Sequence, residues 1–523
     1  VKIVSIFGGH DSNITFSDTE KEEYRIIEIE RIVKKRYFRL HVDNDREEIK
    51  RILEKCQKIA EKHWGFTNDY DEVIYVSDGA LENSLLREVF NSGSVRSFGD
   101  HHHSHAASTF YQSGFKESLI ISYDGGGNDG FFNVYLADQN GINILEKIES
   151  DFGGGYLLLG SSIKEISEKS THMLSLAGKM MGICAYGNPD IEKSKILENF
   201  FIDRDYKKMS EESGYLLLNP DNPWKNPLNN YKFSGQEGYN FAATSQMAYE
   251  NKFLKILDYL LEKYNFKNLC ITGGGALNVL LNQKIKDKYE IPVFVSPNPN
   301  DCGLSLGASF LLYPPKQKID VAYKGIPILD IEDLESKLKG RKYKDLNLSE
   351  VCKLLKDGKI IGVCRGDSEV GPRALGNRSI ICDPSFSGMK DILNSKVKFR
   401  EWYRPFAPFC LKEDGKKYFE SKDFENLEYM GYAPIVKKEI REKIPSVTHE
   451  DGSSRLQVVD ENSHEFFYSL LKEFSKYSEI NVLLNTSFNI RGNPILSTVE
   501  DALYVLDNTE LDFVIINDII IEK

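Results

Sequence analysis

The chain has 523 residues, of which 41% are hydrophobic and 28% charged. That is globular in composition and too long for one ordinary core, so two or three domains are expected. A formal net charge of −12 argues against a sequence-independent grip on nucleic acid, which needs a basic footprint. The eight cysteines are scattered with no C-x-x-C pair, which speaks against a zinc ribbon and for reduced thiols in a cytoplasmic protein.

Residues 1–7 read as a strand, too short and wrongly flanked for a signal peptide, and no apolar run approaches the roughly 18 residues of a membrane span. The strand stops at Gly8-Gly9-His10-Asp11-Ser12, and a second follows to residue 16. Strand, glycine turn, polar tip and strand make a hairpin able to hold a phosphate or polar ligand. Gly-Gly alone would be an ordinary surface hairpin; His10 and Asp11 together at the tip mark it as a candidate site. Residues 25–30 read as a third strand. A charged helix around residues 46–53 is read as a solvated face without chemistry, and residues 70–77 form another strand. Residues 101–108, His-His-His-Ser-His-Ala-Ala-Ser, then place four of the ten histidines within five positions. If this stretch is helical, His101 and His105 are i,i+4 neighbours that can grip one divalent ion; the plainer alternative is a polar helix start with partly exposed histidines. A strand over 118–123 ends at Asp124 and a glycine turn at 125–127, which offers a third ligand.

Residues 151–156 are a further glycine cluster. Residues 177–187 bring Lys179 into a glycine-rich turn, within reach of a phosphate, although the spacing is not that of a P-loop. Residues 188–240, rich in Asn, Pro, Tyr and Lys, read as an irregular insertion and a wall for an acceptor pocket. A long amphipathic helix over 242–263 follows. The strand at 268–271 ends in Thr272-Gly273-Gly274-Gly275-Ala276-Leu277-Asn278, where glycines between strand and helix let backbone N–H groups face a nucleotide. A strand at 293–295 leads to Asp301 and a helix over 304–311. Ligands in open α/β sheets gather beyond the carboxyl ends of strands, so Asp124 and Asp301 are natural partners for His101 and His105.

Residues 314–318 read as a linker, and a second α/β domain starts near 322, with helices at 333–339 and 348–357 and a strand at 359–364. It carries four dense polar stretches: 371–379 with Arg373, 396–408 with Lys398 and Arg404, 448–457 with His449 and Arg455, and 484–492 with Asn485, Thr486, Ser487 and Asn489. Surface ion pairs would be the default reading of so many cations. In an acidic chain, among backbone-restricting Gly-Pro-Arg and Arg-Pro-Phe-Ala-Pro contexts, they read as a pocket for anions.

Taken together, Gly-His-Asp at 9, His-x-x-x-His-Ala-Ala-Ser at 101, Asp-Gly at 124, Gly-Lys-x-Met-Gly at 178, Gly-Gly-Gly-Ala-Leu-Asn at 273, Gly-Pro-Arg-Ala-Leu-Gly-Asn-Arg-Ser at 371, Arg-Glu-x-x-Arg-Pro-Phe-Ala-Pro at 400, Thr-His-x-Asp-Gly-Ser at 448 and Leu-Asn-Thr-Ser-Phe-Asn at 484 resemble the O-carbamoyltransferases of the NodU/CmcH family over nearly the whole chain. The resemblance implies an actin-like (ASKHA-type) ATPase domain over 1–320 and a threonylcarbamoyl-AMP synthase-like (YrdC-like) domain over 321–523. It implies that carbamoyl phosphate and ATP, with Mg, become carbamoyl-adenylate in the second domain, and that the first transfers the carbamoyl group to a hydroxyl of a small-molecule or glycan acceptor. By motif position, His101, His105, Asp124 and Asp301 would bind a metal, with iron the family precedent and Zn or Mn equally compatible with the residues. His10 would be the catalytic base. Gly273, Gly274, Gly275 and Asn278 would cradle the adenylate, and Arg373, Lys398, Arg404 and Arg455 would bind carbamoyl phosphate and the ATP phosphates. His449, Asn485, Thr486, Ser487 and Asn489 would line the same chamber, and a homodimer is the family expectation. Two departures stand out. Asp367 occupies a position where the family commonly has arginine, and His102 and His103 leave a shifted metal pairing open. Rival readings are a tRNA-modifying or hydrogenase-maturation relative, disfavoured by the acidic balance and the lack of C-x-x-C motifs, and a non-catalytic metal- and nucleotide-binding module.

Overall fold

Two five-stranded sheets of the same winding make up the first 310 residues of the chain. They are seen in a computed structural model that describes residues 1–40, 44–78, 81–202, 212 and 232–523. The first sheet contains β1 (Lys2–Phe7), β2 (Asn13–Asp18), β3 (Glu23–Glu28), β4 (Tyr70–Tyr75) and β5 (Ser92–Ser97), in the order β3-β2-β1-β4-β5. β1, β2 and β3 form an antiparallel meander, and β4 and β5 add in parallel on the other side of β1. The second contains β6 (Ser118–Gly127), β7 (Gly130–Asp138), β8 (Gly141–Lys147), β9 (Leu269–Thr272) and β10 (Val293–Phe294). Its order, β10-β9-β6-β7-β8, repeats the first with the same parallel and antiparallel pairings. Both central strands are buried on both faces, which is why Ile3 to Phe7 and Leu119 to Tyr123 are almost continuously apolar.

Each half ends in a helix, His101–Ser113 and Leu304–Leu312, and the two helices cross in direct contact. Gly307 makes this possible: a Cβ there would lie 1.9 Å from the Ser104 carbonyl oxygen. The Leu304–Leu312 helix is tied to the first sheet by small hydroxyls. Ser5 Oγ donates to the Ser305 carbonyl at 2.6 Å, and Thr15 and Ser17 pair with the Ser305 and Ser309 hydroxyls at 2.7 and 2.9 Å.

Beyond residue 340 lies a mixed eight-stranded sheet. Its strands are β11 (Tyr343–Asp345), β12 (Ile361–Cys364), β13 (Arg378–Cys382), β14 (Ala407–Leu411), then, after a separate two-stranded pair β15 (Phe419–Glu420) and β16 (Ile435–Val436), β17 (Gln457–Val459), β18 (Val482–Ser487), β19 (Phe513–Ile516) and β20 (Ile519–Glu522). The order is β11-β20-β19-β12-β13-β18-β14-β17. The segment read as the start of the second domain packs backwards: Ile319 and Val321 join Tyr24 and Phe310, and Ile326 joins the core under the first sheet.

Several sequence expectations need correction. Residues 125–127 are not a turn; β6 continues through Gly127, and the reversal falls at Asn128 and Asp129. The glycine cluster at 153–155 sits inside a helix, Phe152–Ser161, whose N-terminus Asp151 caps through the Gly154 N–H at 2.7 Å. Lys179 likewise lies in a helix, Ser175–Ile183, not in a turn. The helix Arg46–Trp64 is solvated on one face only, and buries Ile49, Ile52, Leu53, Cys56 and Ile59 on the other. The region 188–240 is not irregular at its ends: Ile191–Leu197 is helical, and the long helix starts at Gly235, seven residues earlier than its hydrophobic pattern. The rest of the expected acceptor wall, 203–211 and 213–231, lies outside the described residues. β5 and the β7–β8 hairpin were not anticipated.

Candidate active sites

The tip between β1 and β2, the N-terminal turn of the His101–Ser113 helix, β6 and the loop after β10 converge on one point. The histidine stretch is helical, so His101 and His105 face the same way. Among the described residues, one ligand atom from each of His101, His105, Asp124 and Asp301 lies within 4.8 Å of the others. His105 Nε2 is 3.5 Å from Asp124 Oδ2 and 3.4 Å from Asp301 Oδ1, and His101 Nε2 is 3.6 Å from Asp301 Oδ1. The Nε2 atoms of His101 and His105 are buried with no hydrogen-bond partner among the described residues. Buried polar atoms are normally satisfied, so these two ring nitrogens beside two carboxylates fit a divalent ion. The neighbouring histidines have other partners: His102 meets Ser122 Oγ (2.8 Å) and the Gly130 carbonyl (3.0 Å), and His103 meets the Ile142 carbonyl (3.1 Å) and the face of Tyr135. Burial, followed by the nearby charges of His101 and His105, pushes His102 down to about 4.

His10 joins this centre from the tip. Its Nδ1 lies 3.1 Å from Asp11 and its Nε2 3.3 Å from Asp301. Asp11 has φ of 58°, a left-handed conformation that a non-glycine residue adopts at a cost of about 1–2 kcal/mol. Burial opposes a charge on His10 and on His105, but Asp301 with Asp11 outweighs it at the first, and Asp124 with Asp301 at the second, raising them to about 10 and about 9. The same contacts hold Asp124 and Asp301 below the usual carboxylate range against their burial. A metal ion bound by these carboxylates would compete with such protons. Asp78, which nothing in its sequence context marked, sits 2.9 Å from His101 Nδ1 and orients that ring. The Gly273–Asn278 junction borders the same centre: the Gly274 N–H donates to Asp124, the Gly273 N–H to the Pro299 carbonyl at 2.8 Å, and Asn278 Oδ1 caps the following helix through the Leu281 N–H at 3.1 Å. Gly275 receives Tyr123 Oη at 2.8 Å on its carbonyl.

The second cluster is cationic. Lys398, 3% exposed, donates to the Ser487 carbonyl at 2.5 Å, the Asn489 carbonyl at 2.8 Å, Ser487 Oγ at 3.2 Å and Asn489 Oδ1. Every one of these acceptors is neutral. Arg400 donates to Asn394 Oδ1 (2.7 Å) and the Pro405 carbonyl (3.2 Å), also neutral. Arg455 Nε is buried with no acceptor among the described residues. Glu401 stands 3.7 Å from Arg404 but is already paired with Lys179 at 2.9 Å. Burial first, then neighbouring like charges, lowers all four deeply placed cations. Arg373 falls to about 10 beside Arg404 and Arg36, and Lys398, Arg400 and Arg455 fall well below their ordinary values. Cations gathered around one carboxylate that is shared with Lys179 have the charge to attract an anion.

The remaining residues have more local partners. Asn485 Nδ2 is spent on the Ala374 carbonyl (3.0 Å) and Gln457 Oε1 (2.9 Å), so it supports the Arg373 loop. Thr486 is half-buried in β18, opposite Ile380. His449 is 7% exposed, and neither ring nitrogen has a hydrogen-bond partner among the described residues. Lys179 Nζ donates to Ser170 Oγ at 2.7 Å besides pairing with Glu401. Asp367 pairs with Arg25 at 2.7 Å, so the family's arginine position serves here as an ion pair between the two parts of the chain. Sequence reasoning missed Arg36 and Arg400. Arg400 lies within the Lys398–Arg404 stretch and was open to discovery there, whereas Arg36, in a run of lysines and arginines, carried no distinguishing signal.

The N-terminal carbamoyltransferase family profile matches residues 9–310 and the C-terminal profile residues 352–523. The nodulation protein NolNO of Sinorhizobium fredii is 32% identical over 467 residues, covering 85% of this chain and 67% of its own. The nodulation protein NolO of Bradyrhizobium diazoefficiens is 30% identical over 446 residues, covering 81% and 79%. Among solved structures, full-length HypF in its phosphate- and nucleotide-bound form overlaps 60% of this chain and 46% of its own, with a TM-score of 0.35 and 14% identity.

Proposed function

The chain belongs to the carbamoyltransferase family, and we propose that it works in two steps at two sites. In the first, carbamoyl phosphate, water and ATP give carbamoyl-adenylate, phosphate and pyrophosphate at the cation cluster. In the second, the carbamoyl group passes to a hydroxyl of a sugar or natural-product acceptor at the His10 centre. The observation that carries this reading is the cation cluster. Arg373, Lys398, Arg400, Arg404 and Arg455 stand together with a single shared carboxylate among the described residues, an arrangement that bound anions would stabilise. Both substrates of the first step are polyanions. Lys398 and the arginine forks would hold their phosphate oxygens and take up charge as pyrophosphate leaves.

The repeated sheet order supports an actin-like duplicated domain over 1–320, and the mixed sheet a YrdC-like domain over 321–523, with Gly273, Gly274, Gly275 and Asn278 facing the adenylate between them. His101, His105, Asp124 and Asp301 would hold a divalent ion, which supplies Lewis-acid polarisation of a bound carbonyl. The acceptor oxygen attacks the carbamoyl carbon, the bond to AMP breaks, and the hydroxyl proton passes to His10 at Nε2, which can accept it because a divalent ion on Asp301 would offset the carboxylate that otherwise keeps His10 protonated. Asp11, 3.1 Å from Nδ1, fixes that ring for the task. ATP–pyrophosphate exchange, run with and without carbamoyl phosphate, tests the first step. Exchange that requires carbamoyl phosphate and disappears in Arg373→Ala supports adenylation; its absence in folded, metal-loaded wild type would leave a binding module as the better reading.

A further inference from the structure

The loop between β12 and β13 that presents Arg373 is held from two directions. From within, Glu369 is fully buried, and its Oε1 accepts from four consecutive backbone N–H groups: Leu375 (2.8 Å), Gly376 (2.9 Å), Asn377 (2.7 Å) and Arg378 (3.0 Å). The downstream carbonyls of Ala374 and Leu375 receive Asn485 Nδ2 (3.0 Å) and Gln457 Nε2 (2.8 Å). Those partners all belong to the C-terminal half.

The upstream side is tied within the C-terminal half by the Ser368 and Val370 N–H groups, which donate to the Ile326 and Ala322 carbonyls at 2.8 and 2.9 Å. The N-terminal half adds a second hold there, through Arg31. This residue is 2% exposed; it donates from Nη1 to the Glu369 carbonyl at 2.6 Å and from Nη2 to the Gly371 carbonyl at 2.9 Å. Glu28 pairs with Arg31 at 2.5 Å and accepts from the Gly371 N–H at 3.3 Å, closing a buried knot around Glu369 and Gly371, upstream of Arg373. Gly371 has φ of 114°, and a Cβ there would lie 2.2 Å from the Pro297 carbonyl oxygen, so the loop backbone rests directly on the N-terminal half. At its other end the Arg31 segment is tied to the His10 tip, because the Ile29 N–H donates to the Ser12 carbonyl at 2.9 Å. A guanidinium is suited to this place: its rigid fork spans two carbonyls that a lysine point charge cannot hold together.

We infer that Arg31 is a positioning residue of the anion site, supplied by the half of the chain that carries the other site. By fixing the Glu369 and Gly371 carbonyls it sets where Arg373 presents its guanidinium. The inference rests on the reading of the cation cluster as the carbamoyl-phosphate site, and the test separates the two. Carbamoyl phosphate is titrated calorimetrically into the full chain as wild type, Arg31→Lys, Arg373→Lys and the double variant. Arg31→Lys keeps a charge against Glu28 but cannot bridge both carbonyls, and weakens binding about tenfold; in the Arg373→Lys background the same change costs less than about twofold, the non-additivity expected of a residue acting through another. Arg25→Gln, which breaks the Arg25–Asp367 pair between the halves without touching these carbonyls, leaves affinity unchanged. Should Arg31→Lys fail to fold, Glu28→Gln with Arg31→Met removes the buried pair without stranding either charge and is read in the same cycle. Equal affinity of Arg31→Lys and wild type, additive losses in the cycle, or an equal loss in Arg25→Gln overturns the positioning role while leaving the anion site standing. No binding by wild type removes the anion-site reading, and this inference with it.

Discussion

Arg455→Met should stabilise the ligand-free protein while weakening its response to ligand, the reverse of the usual effect of a substitution at a partly buried position. The Arg455 side chain has Nε enclosed without an acceptor, and its electrostatic neighbours are Arg373, Arg400 and Arg404. Methionine fills much of the same apolar volume and removes both the desolvated charge and its repulsion. Exchanges of buried ionic groups for hydrophobic ones of similar size are worth about 1–4 kcal/mol in favour of the folded state. For a unit of about 200 residues, each kcal/mol moves Tm by about 2–4 °C, so the ligand-free variant should melt several degrees above wild type. Carbamoyl phosphate reverses the order: a ligand at about 100 times its Kd adds about 2.7 kcal/mol, and the variant, lacking one arginine fork, gains only part of it. Differential scanning calorimetry at fixed ionic strength, with and without carbamoyl phosphate, reads both effects. A ligand-free Arg455→Met that melts below wild type would refute the reasoning, because it would mean that the charge is compensated in the free protein.

Three further outcomes follow from the geometry. Asp301→Ala removes the carboxylate that faces His10, His101 and His105; on the reading of this group as a metal site, the purified variant should contain less divalent metal than wild type by elemental analysis while keeping its far-ultraviolet circular dichroism. His464 accepts the Phe467 N–H on Nδ1 at 3.0 Å and meets Asn377 Oδ1 from Nε2 at 3.0 Å, so it is held neutral, and burial pushes it down to about 4. Its folded value is depressed, so its contribution is complete above the ordinary value of about 6.5 and is lost as pH falls toward 4. That amounts to about 3 kcal/mol, and urea midpoints across this window should fall less steeply in His464→Asn, which keeps a capping side chain. Gly307→Ala forces a methyl group against the Ser104 carbonyl, costs about 1–3 kcal/mol or more, and should lower thermal stability and metal content together, since the displaced helix carries both histidine ligands.

How much of this was legible beforehand depended on the range of the cause. The His101–His105 pairing follows from helical spacing alone, and Asp124 and Asp301 from strand ends, so the four-residue group could be read from local pattern. Lys179 was misread because Gly178 and Gly182 look like turn residues; in the structure both sit within a helix, with Gly182 beside Tyr403 and Pro405. Glu369 and Arg31 carried no legible role, because their partners are backbone groups up to 340 positions away in sequence. Position 367 was legible as a departure, but its compensation by Arg25 needed the fold. The sheet order of each half is likewise a long-range property: strand runs could be seen, and the repetition of their winding could not.

The two sites share one stretch of backbone, and that stretch is strained. Lys34 and Tyr37 have φ of 57°, Asp11 of 58° and Phe399 of 48°, all left-handed and none glycine. Asp11 adjoins His10, Tyr37 adjoins Arg36, and Phe399 adjoins Lys398. Such conformations persist only where the surroundings over-determine them, and here they do. The Phe38 carbonyl takes both the N–H and the hydroxyl of Ser12, at 3.1 and 2.5 Å, the Tyr37 N–H donates to Glu30 at 2.9 Å, and the Tyr37 ring stacks on His172 at 4.6 Å. His172 feels the charges of His10 and Asp11, and Arg373 feels those of Arg36 and Tyr37. Segment 28–38 touches both sides, through the Ile29 N–H on the Ser12 carbonyl beside the His10 tip and through Arg31 on the Glu369 and Gly371 carbonyls of the Arg373 loop. On the two-step reading this placement has a chemical reason: an acyl-adenylate is readily hydrolysed, and a site that makes it gains by opening onto the site that uses it rather than onto water.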